Sequence, residues 1–208
     1  KKVKDMNVLD KLEYGLFVLS AHENQKDNAC ITNVAMQVTD NPIRIAFTVN
    51  KNNLTHDMIF NTGKFTLSIL TTDVPMELIQ YFGFKSGREV EKFENYPYAQ
   101  KNQQGMYYIT EKYANAYISG TVFSKMDLGT HTLFLADVVE TQDLSEKKSL
   151  TYEYYHQNIK PQPKSDKKKA WVCKVCGYVH EDENLPQDFI CPWCQHGVAD
   201  FELMEMSK

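Results

Sequence analysis

Four cysteines near the end of the chain have the spacing of a single tetrahedral metal site. Cys173 and Cys176 form one CxxC pair, Cys191 and Cys194 form a second, and fourteen residues separate the two pairs. Thiolates are soft ligands, and four of them together select zinc or iron. The spacing fits a zinc ribbon as readily as a one-iron centre. Because residues 171–208 are too few to hold a core unaided, the metal is also expected to fold this segment.

The residues around the two pairs favour iron. Gly177 follows the first pair, where a residue without Cβ can adopt positive φ and turn backbone N–H groups toward sulfur. A small aromatic core is predicted beside the site from Trp171, Tyr178, Phe189, Trp193 and Phe201. Through the runs WVCKVCGY and DFICPWC this segment resembles rubredoxin, the one-iron electron carrier, and its short loop resembles the module of rubrerythrins. The resemblance implies one iron bound by the four cysteines. A structural zinc ribbon used for docking is the alternative.

A second group of residues with possible chemistry lies in a polar loop before a short predicted helix. Phosphate binds where backbone N–H groups, hydroxyls and a cation meet at a helix N-terminus. Asn50, Lys51, Asn52 and Thr55 offer these groups. An ordinary polar loop with a threonine cap is the alternative interpretation.

Short runs typical of β-strands dominate the part of the chain that would position this loop. Strands are predicted over residues 15–21, 29–39, 43–49, 65–70, 107–110, 116–123 and 132–139. Two short helices are predicted, one capped by Thr55 and ended near Gly63, the other capped by Asp73 and running to about Tyr81. Many strands with brief helices favour a mainly β fold, a barrel closed on itself.

In this order the chain resembles the flavin reductase-like, FMN-binding split-barrel family over nearly all of residues 8–157. The runs that carry the resemblance are ACITNV from residue 29, FTVNKNNLTH from residue 47, FGFKSGR from residue 82, GTHTLF from residue 129 and SLTYEYYH from residue 149. It implies a split β-barrel with short helices that binds FMN and takes electrons from NADH or NADPH. The FMN-binding residues that it implies are Ile31, Thr32, Asn33, Val34, Thr48, Asn50, Lys51, Asn52, Thr55, Ser86, Gly87 and Lys92.

The same resemblance implies a catalytic role for His131, beside the flavin and the nicotinamide. Each of these assignments has a plainer alternative. Residues 31–34 alone indicate a half-buried strand, residues 86–92 a solvated charged loop, and His131 a structural histidine at a strand end. Cys30 lies in an apolar stretch and is expected to be a small buried residue rather than a catalytic thiol.

Charge divides the chain into a barrel domain at residues 1–159, a linker at 160–170 and a metal domain at 171–208. From residue 171 onward two lysines face seven acidic residues, a net charge of −5, whereas residues 1–170 carry 21 basic and 20 acidic residues, a net charge of +1. The linker contains Pro161, Pro163 and a run of lysines. One such run beside an acidic domain is a poor nucleic-acid surface.

Hydropathy and cysteine content indicate the cellular compartment expected for this chain. No run approaches the roughly 18 apolar residues of a membrane span, and the first residues have no apolar signal core. With four of the five cysteines assigned to one metal, the remaining thiol favours a reducing cytoplasm over a disulfide framework.

Together the two domains resemble the high-molecular-weight rubredoxins. This implies an electron path from NADH or NADPH through FMN to the iron and on to a partner, such as a flavodiiron protein that reduces oxygen or nitric oxide. The family also implies a homodimer. The alternative is a flavin or ferric reductase that releases reduced flavin, with the last domain as a zinc ribbon for docking.

Overall fold

The computed structural model describes residues 11–161, 169–182, 184–194 and 196–206. They form a seven-stranded sheet with short helices, here called the barrel domain, and a three-stranded sheet after residue 169, here called the metal domain. Residues 1–10, within the predicted first domain, and 162–168, within the predicted linker, lie outside the described residues. Among the described helices, none is both long and apolar enough to cross a membrane.

The barrel domain is built almost entirely from antiparallel strands. They run in chain order as β1 Phe17–Glu23, β2 Lys26–Thr32, β3 Ala35–Asp40, β4 Ile43–Asn50, β5 Lys64–Leu70, β6 Ala99–Lys101, β7 Tyr107–Ile109, β8 Ala114–Asp127 and β9 His131–Asp143. The large sheet has the order β2-β1-β5-β8-β9-β4-β3, and β6 and β7 form a separate pair. Among the described residues no ladder joins β2 to β3, so the sheet is split rather than closed on itself, which corrects the closed barrel expected from the pattern.

The prediction of a single strand over residues 29–39 is wrong, because the chain changes partner after Thr32. β2 pairs with β1, whereas β3 pairs with β4 from Ala35 onward. The link between them is held against β4: the N–H of Thr48 donates to the carbonyl of Val34 at 3.1 Å, and the hydroxyl of Thr32 donates to the carbonyl of Thr48 at 2.9 Å. A change of partner leaves no mark in the alternation of side chains, so the sequence pattern could not reveal it.

The first helix, α1, covers Leu54–Thr62 and ends as predicted at Gly63. Gly63 adopts φ 69°, and its N–H donates to the carbonyl of Ile59, an arrangement for which glycine is favoured. Thr55 is not the cap; Asn53 holds that position, and Thr55 lies fully buried in the first turn. The predicted cap is therefore a residue that faces the interior.

The second helix, α2, covers Met76–Phe84, beginning after Pro75 rather than after an Asp73 cap and extending past Tyr81. Its buried face, Leu78, Ile79 and Phe82, packs with residues of β1 and β2 in one hydrophobic cluster. This packing places the end of α2 beside β2. A third short helix, α3 at Tyr152–Tyr154, continues into a π-helical turn, Tyr155–Ile159.

The metal domain consists of β10 Lys169–Cys173, β11 Val179–His180 and β12 Phe201–Glu205, with β10 in the centre. A 3-10 turn, Val198–Asp200, leads into β12. The first strand thus begins inside the predicted linker. Antiparallel pairing of Cys173 with Phe201 brings the first CxxC pair and the closing strand together.

Candidate functional site

The four predicted metal ligands converge in one buried cluster. Their sulfur atoms all lie within 4.8 Å of one another, and none of the four residues is more than 5% exposed. The Sγ atoms of Cys173 and Cys194 are 3.6 Å apart, and those of Cys176 and Cys191 are 3.5 Å apart. A tetrahedral metal with bonds of about 2.3 Å requires sulfur–sulfur edges of about 3.8 Å. The donor set therefore fits a single four-thiolate metal ion.

Two tight turns present these sulfurs. In the first, Gly177 adopts φ 82°, and its N–H donates to the carbonyl of Cys173 at 2.8 Å. In the second, the N–H of Cys191 donates to the carbonyl of His196 at 2.8 Å. Hydrogen bonding with Cys194 lowers the pKa of the Cys176 thiol.

The predicted aromatic core beside the cluster is only partly interior. Phe201 is buried against the cysteines and makes an edge contact with Phe189, with ring centroids 5.4 Å apart. Tyr178 and Trp193 are in contact at 5.4 Å, but Trp193 remains 43% exposed. The ring of Trp193, directly before a ligand cysteine, therefore contributes to the surface of the metal domain as well as to its packing.

In the barrel domain, part of the predicted flavin site lines a cavity of about 160 Å³, here called the polar cavity. It lies between the start of α1, the end of α2 and β2. The predicted residues that meet in its wall are Asn52, Thr55, Ser86, Gly87 and Lys92. Hydroxyls, amides and a cation thus converge on one space, which are the groups that an anionic phosphate requires.

Asn28 is a residue of this wall that the sequence patterns missed. Its side chain is 2% exposed, its amide nitrogen donates to the hydroxyl of Thr55 at 2.9 Å, and its Oδ1 has no hydrogen-bond partner among the described residues. A Cβ at Gly87 would collide with this amide. A buried amide oxygen without a partner is a feature of a ligand site. So is a glycine at a position where any side chain would fill the space. Its signal in the sequence was an asparagine directly before the apolar run Ala29-Cys30-Ile31.

Lys92 supplies a buried cation in the same wall. Its Nζ donates to the carbonyls of Ala29 and Phe82, both at 2.7 Å. Burial lowers the pKa of Lys92 to about 8, so the side chain is still charged at neutral pH. Burial raises the pKa of the neighbouring Cys30 thiol, which agrees with the expectation of a buried, protonated cysteine.

A second space of about 220 Å³, here called the strand cavity, lies beside the end of β2. Ile31, Thr32 and Asn33, the residues predicted to face the flavin ring, form one wall. Tyr155 forms part of another wall, and Gly83 and Phe84 belong to the walls of both cavities. The two cavities therefore adjoin at the end of α2, and together they contain eight of the twelve residues predicted to bind FMN.

The other predicted flavin residues, Val34, Thr48, Asn50 and Lys51, do not line either cavity. The Nζ of Lys51 contacts Asp127 at 2.6 Å, and the side chain of Asn50 accepts the N–H of Asn52. Thr48 and Val34 hold each other through their backbones. These four residues shape the loop and the strand link that carry the cavity walls.

His131 lies apart from the two cavities. It begins β9, pairs with Asn50 across the sheet, and its Nδ1 is 2.9 Å from the hydroxyl of Thr130. Arg88, near the predicted charged loop, bonds the carboxylate of Asp57 at 2.7 Å.

The metal domain completes the walls of both cavities. Cys194 and His196 line the polar cavity, and Val175 lines the strand cavity. Beside them, the Nζ of Lys160 donates to the carbonyl of Lys174 at 2.9 Å. Burial lowers the pKa of Lys160, and the sulfurs of the cluster oppose that shift. The metal cluster thus lies against the predicted flavin site of the same chain.

The hydroxyl of Thr55 gives a direct test of the polar cavity. We expect Thr55→Val to weaken FMN binding about five-fold, because it removes one neutral hydrogen bond of roughly 1 kcal/mol. Titration of the apoprotein with FMN, followed by quenching of flavin fluorescence, measures the change. Thr62→Val is the matched control, since Thr62 lies in the same helix and bonds only the carbonyl of Met58 and the N–H of Lys64. Equal affinities for both variants would contradict the assignment.

Family models match both domains. The flavin reductase like domain matches residues 9–162, and the rubrerythrin, rubredoxin-like domain matches residues 171–202. These matches confirm both resemblances predicted from the sequence, together with the mainly β fold.

Two relatives are similar over most of their length. The high molecular weight rubredoxin of Moorella thermoacetica is 32% identical over 95% of this chain and 99% of its own. The ferric-chelate reductase (NAD(P)H) of Archaeoglobus fulgidus is 36% identical over 73% of this chain and 89% of its own. The first relative spans both domains, which supports the predicted oxidoreductase class.

A solved structure shows the same fold. The flavoredoxin of Methanosarcina acetivorans has a TM-score of 0.60 and is 19% identical over 72% of this chain and 81% of its own. The barrel with its adjoining cavities, the four-thiol cluster, and the match along the whole length lead to one assignment. The chain belongs to the flavin reductase-like family and, with its added rubredoxin-like domain, to the high molecular weight rubredoxins.

Proposed function

We propose that the protein is an electron-transfer oxidoreductase that takes electrons from NADH or NADPH at a bound FMN and passes them through a four-cysteine iron site to a partner protein. The observation that carries the proposal is the contact of the metal cluster with the cavities that contain most of the predicted flavin residues. A bound flavin supplies the conversion of a hydride into single electrons. One hydride carries two electrons and the ferric site accepts one, so two deliveries to the partner balance each hydride, with one proton released.

The described residues would hold the two groups by different means. The polar cavity offers Lys92 and Thr55 to a phosphate, and the unpaired amide oxygen of Asn28 to a neighbouring hydroxyl. Ile31 and Thr32 offer an apolar wall with polar edges to a ring. Four buried thiolates in a rubredoxin-like domain suit iron, which can change oxidation state, whereas zinc cannot.

Reduction by nicotinamide tests the function directly. We expect anaerobic NADH or NADPH to bleach the flavin absorption and then the ferric-thiolate absorption of the purified protein. We further propose that His131 assists hydride transfer, so His131→Ala should slow flavin bleaching and leave the FMN content unchanged. Loss of FMN from this variant would instead indicate a structural role. A ferric absorption that persists after the flavin is reduced would contradict the electron path.

The partner is proposed to be a redox protein, and a flavodiiron protein that reduces oxygen or nitric oxide fits the family. The metal domain has a net charge of −5 before the metal and its thiolates are counted. A partner with a basic docking surface would therefore associate faster than a neutral one. Added salt would screen the attraction and lower the association rate constant.

We also propose a homodimer in a reducing cytoplasm. A groove of about 330 Å³ opens between β3, β4 and the middle of the sheet, and it is lined almost entirely by apolar side chains. Met36 and Ile43 in its wall are each more than half exposed. An exposed apolar surface of this kind is typical of an interface between subunits. None of the five cysteines forms a disulfide with a described residue, and four of them converge on one metal site, which agrees with a reducing compartment.

A second candidate function is ferric reduction at the flavin, with the metal domain as an accessory. It is favoured by the similarity to the protein named ferric-chelate reductase (NAD(P)H), which aligns with 73% of this chain. The two functions differ in the metal domain. In the first, the domain binds iron and is reduced by the flavin; in the second, a metal domain filled with zinc would leave activity toward ferric chelates unchanged.

A further inference from the structure

The contact between the two domains is made by the two turns that present the metal ligands. A Cβ at Gly177 would lie only 2.8 Å from the carbonyl oxygen of Pro161, so the start of the linker rests on the first turn. Lys160 anchors the same turn through its bond to the carbonyl of Lys174 at 2.9 Å. In the second turn, Cys194 and His196 reach the polar cavity. We call this set of contacts the domain interface.

Phe84 joins the interface to the flavin site. It is the last residue of α2, it belongs to the walls of both cavities, and it packs against the cysteine cluster. A single aromatic residue of the barrel domain therefore contacts both the predicted flavin space and the metal cluster.

Both domains contribute residues to the wall of the strand cavity. Ile31, Thr32 and Asn33 belong to the barrel domain, and Val175, from the first metal turn, belongs to the metal domain. A ring held in this space would lie against both strand β2 and the metal turn. A nicotinamide must bring its reacting carbon to within about 3–3.5 Å of the ring. With Val175 in the cavity wall, the metal turn takes up space beside the ring that a nicotinamide would need.

We propose that the metal domain docks over the flavin site of its own chain, and that docking and nicotinamide binding exclude one another. The proposal rests on the proposed function and deepens it. The docked domain accepts an electron, and it leaves the interface before the next nicotinamide binds. Departure also frees the turn that holds Cys194 for a partner, because this turn faces the polar cavity while the domain is docked. Electron transfer into the iron thus takes place within one chain.

The affinity for oxidised nicotinamide tests this exclusion without turnover. If the docked state is populated about nine-tenths of the time, the apparent dissociation constant is raised about ten-fold over that of the open state. Lys160→Glu replaces the anchoring cation with an anion beside the thiolates. We expect it to bind NAD⁺ or NADP⁺ about ten-fold more tightly than the wild type, measured by calorimetric titration of the FMN-loaded, oxidised full chain.

Two further variants separate the interface from general effects of charge or folding. Val175→Glu puts a carboxylate into the strand cavity from the metal side and should give the same gain in affinity, provided that the ferric absorption is retained. Lys169→Glu is the matched control. It makes the same change of charge as Lys160→Glu, but at an exposed residue that is paired with Glu205. Lys160→Arg keeps the cation and should bind as the wild type does.

Equal affinities of the wild type and both interface variants would overturn the proposal. An equal gain in affinity in the Lys169→Glu control would also overturn it. Since NAD⁺ and NADP⁺ transfer no hydride to oxidised flavin, these constants are measurable even in a protein that NADH and NADPH fail to reduce. Failure of reduction would contradict the proposed function, whereas the binding constants alone decide the interface.

Discussion

Replacing Cys176 with alanine is expected to abolish the ferric-thiolate absorption and to unfold the metal domain, while the barrel domain keeps its flavin. The four cysteines and Phe201 are the buried cluster of this domain. Segments below about 40 residues rarely hold a core without a metal, and structural four-ligand sites contribute on the order of 10 kcal/mol to folding. Visible absorption, hydrogen exchange of residues 169–206 and the FMN content of the purified protein measure the three effects.

Cys30→Ala is the control for this result. Cys30 is the fifth cysteine, is equally buried, and belongs to the core of the barrel domain. The variant should retain the full iron content and its colour. If the Cys176→Ala protein still carries stoichiometric iron, the four-thiolate assignment is wrong. If anaerobically prepared wild type contains one zinc and no iron, the domain is a structural ribbon and carries no electrons.

Cutting the chain between Ser165 and Asp166 is expected to slow reduction of the iron by roughly 1,000-fold at about 1 µM protein. A short tether holds the two domains at an effective concentration on the order of 1 mM, and the cut reduces this to the concentration in solution. The cut lies outside the described residues. An inserted protease site and stopped-flow absorption, with NADH or NADPH as donor, measure the rate before and after cleavage.

The dependence of the rate on protein concentration and on salt distinguishes the intact chain from the cleaved one. In the intact chain the rate constant should be independent of protein concentration, whereas the cleaved pair should react in proportion to it. Added salt should slow the cleaved pair more, because it screens the attraction between the acidic metal domain and basic groups on the barrel domain. A rate that rises with concentration in the uncut protein would mean that the iron receives its electrons from a different molecule.

Much of the fold and of the metal site could be predicted from the sequence, because both depend on local patterns. The two CxxC pairs determine the ligands of the cluster by themselves, since a turn of two intervening residues directs both thiolates to one side. The strands are recognisable from their alternation and from the turn residues between them, and Gly63 ends α1 as predicted. Eight of the twelve residues that the family resemblance implies for FMN lie in the walls of the two cavities.

The predictions that were wrong concern features that depend on residues distant in the sequence. The division of residues 29–39 into two strands follows from the different neighbours of β2 and β3, not from any property of Asn33. Thr55 has the residue type of a helix cap, but its hydroxyl bonds Asn28, which precedes it by 27 residues. The preference of threonine for a helix cap is worth only about 1 kcal/mol. The buried position of Thr55 in the cavity wall outweighs this preference.

The sequence by itself predicted the two domains, the four cysteines of the metal cluster and the runs that identify the flavin domain. Only the tertiary structure decided that the cluster lies against the predicted flavin site, that Phe84 and Val175 both line the strand cavity, and that Asn28 lines the polar cavity. The physical reason is that ligand geometry in a CxxC turn is a local property of a few bonds. The position of one domain on another is the sum of many weak contacts between surfaces, and no single stretch of sequence encodes it.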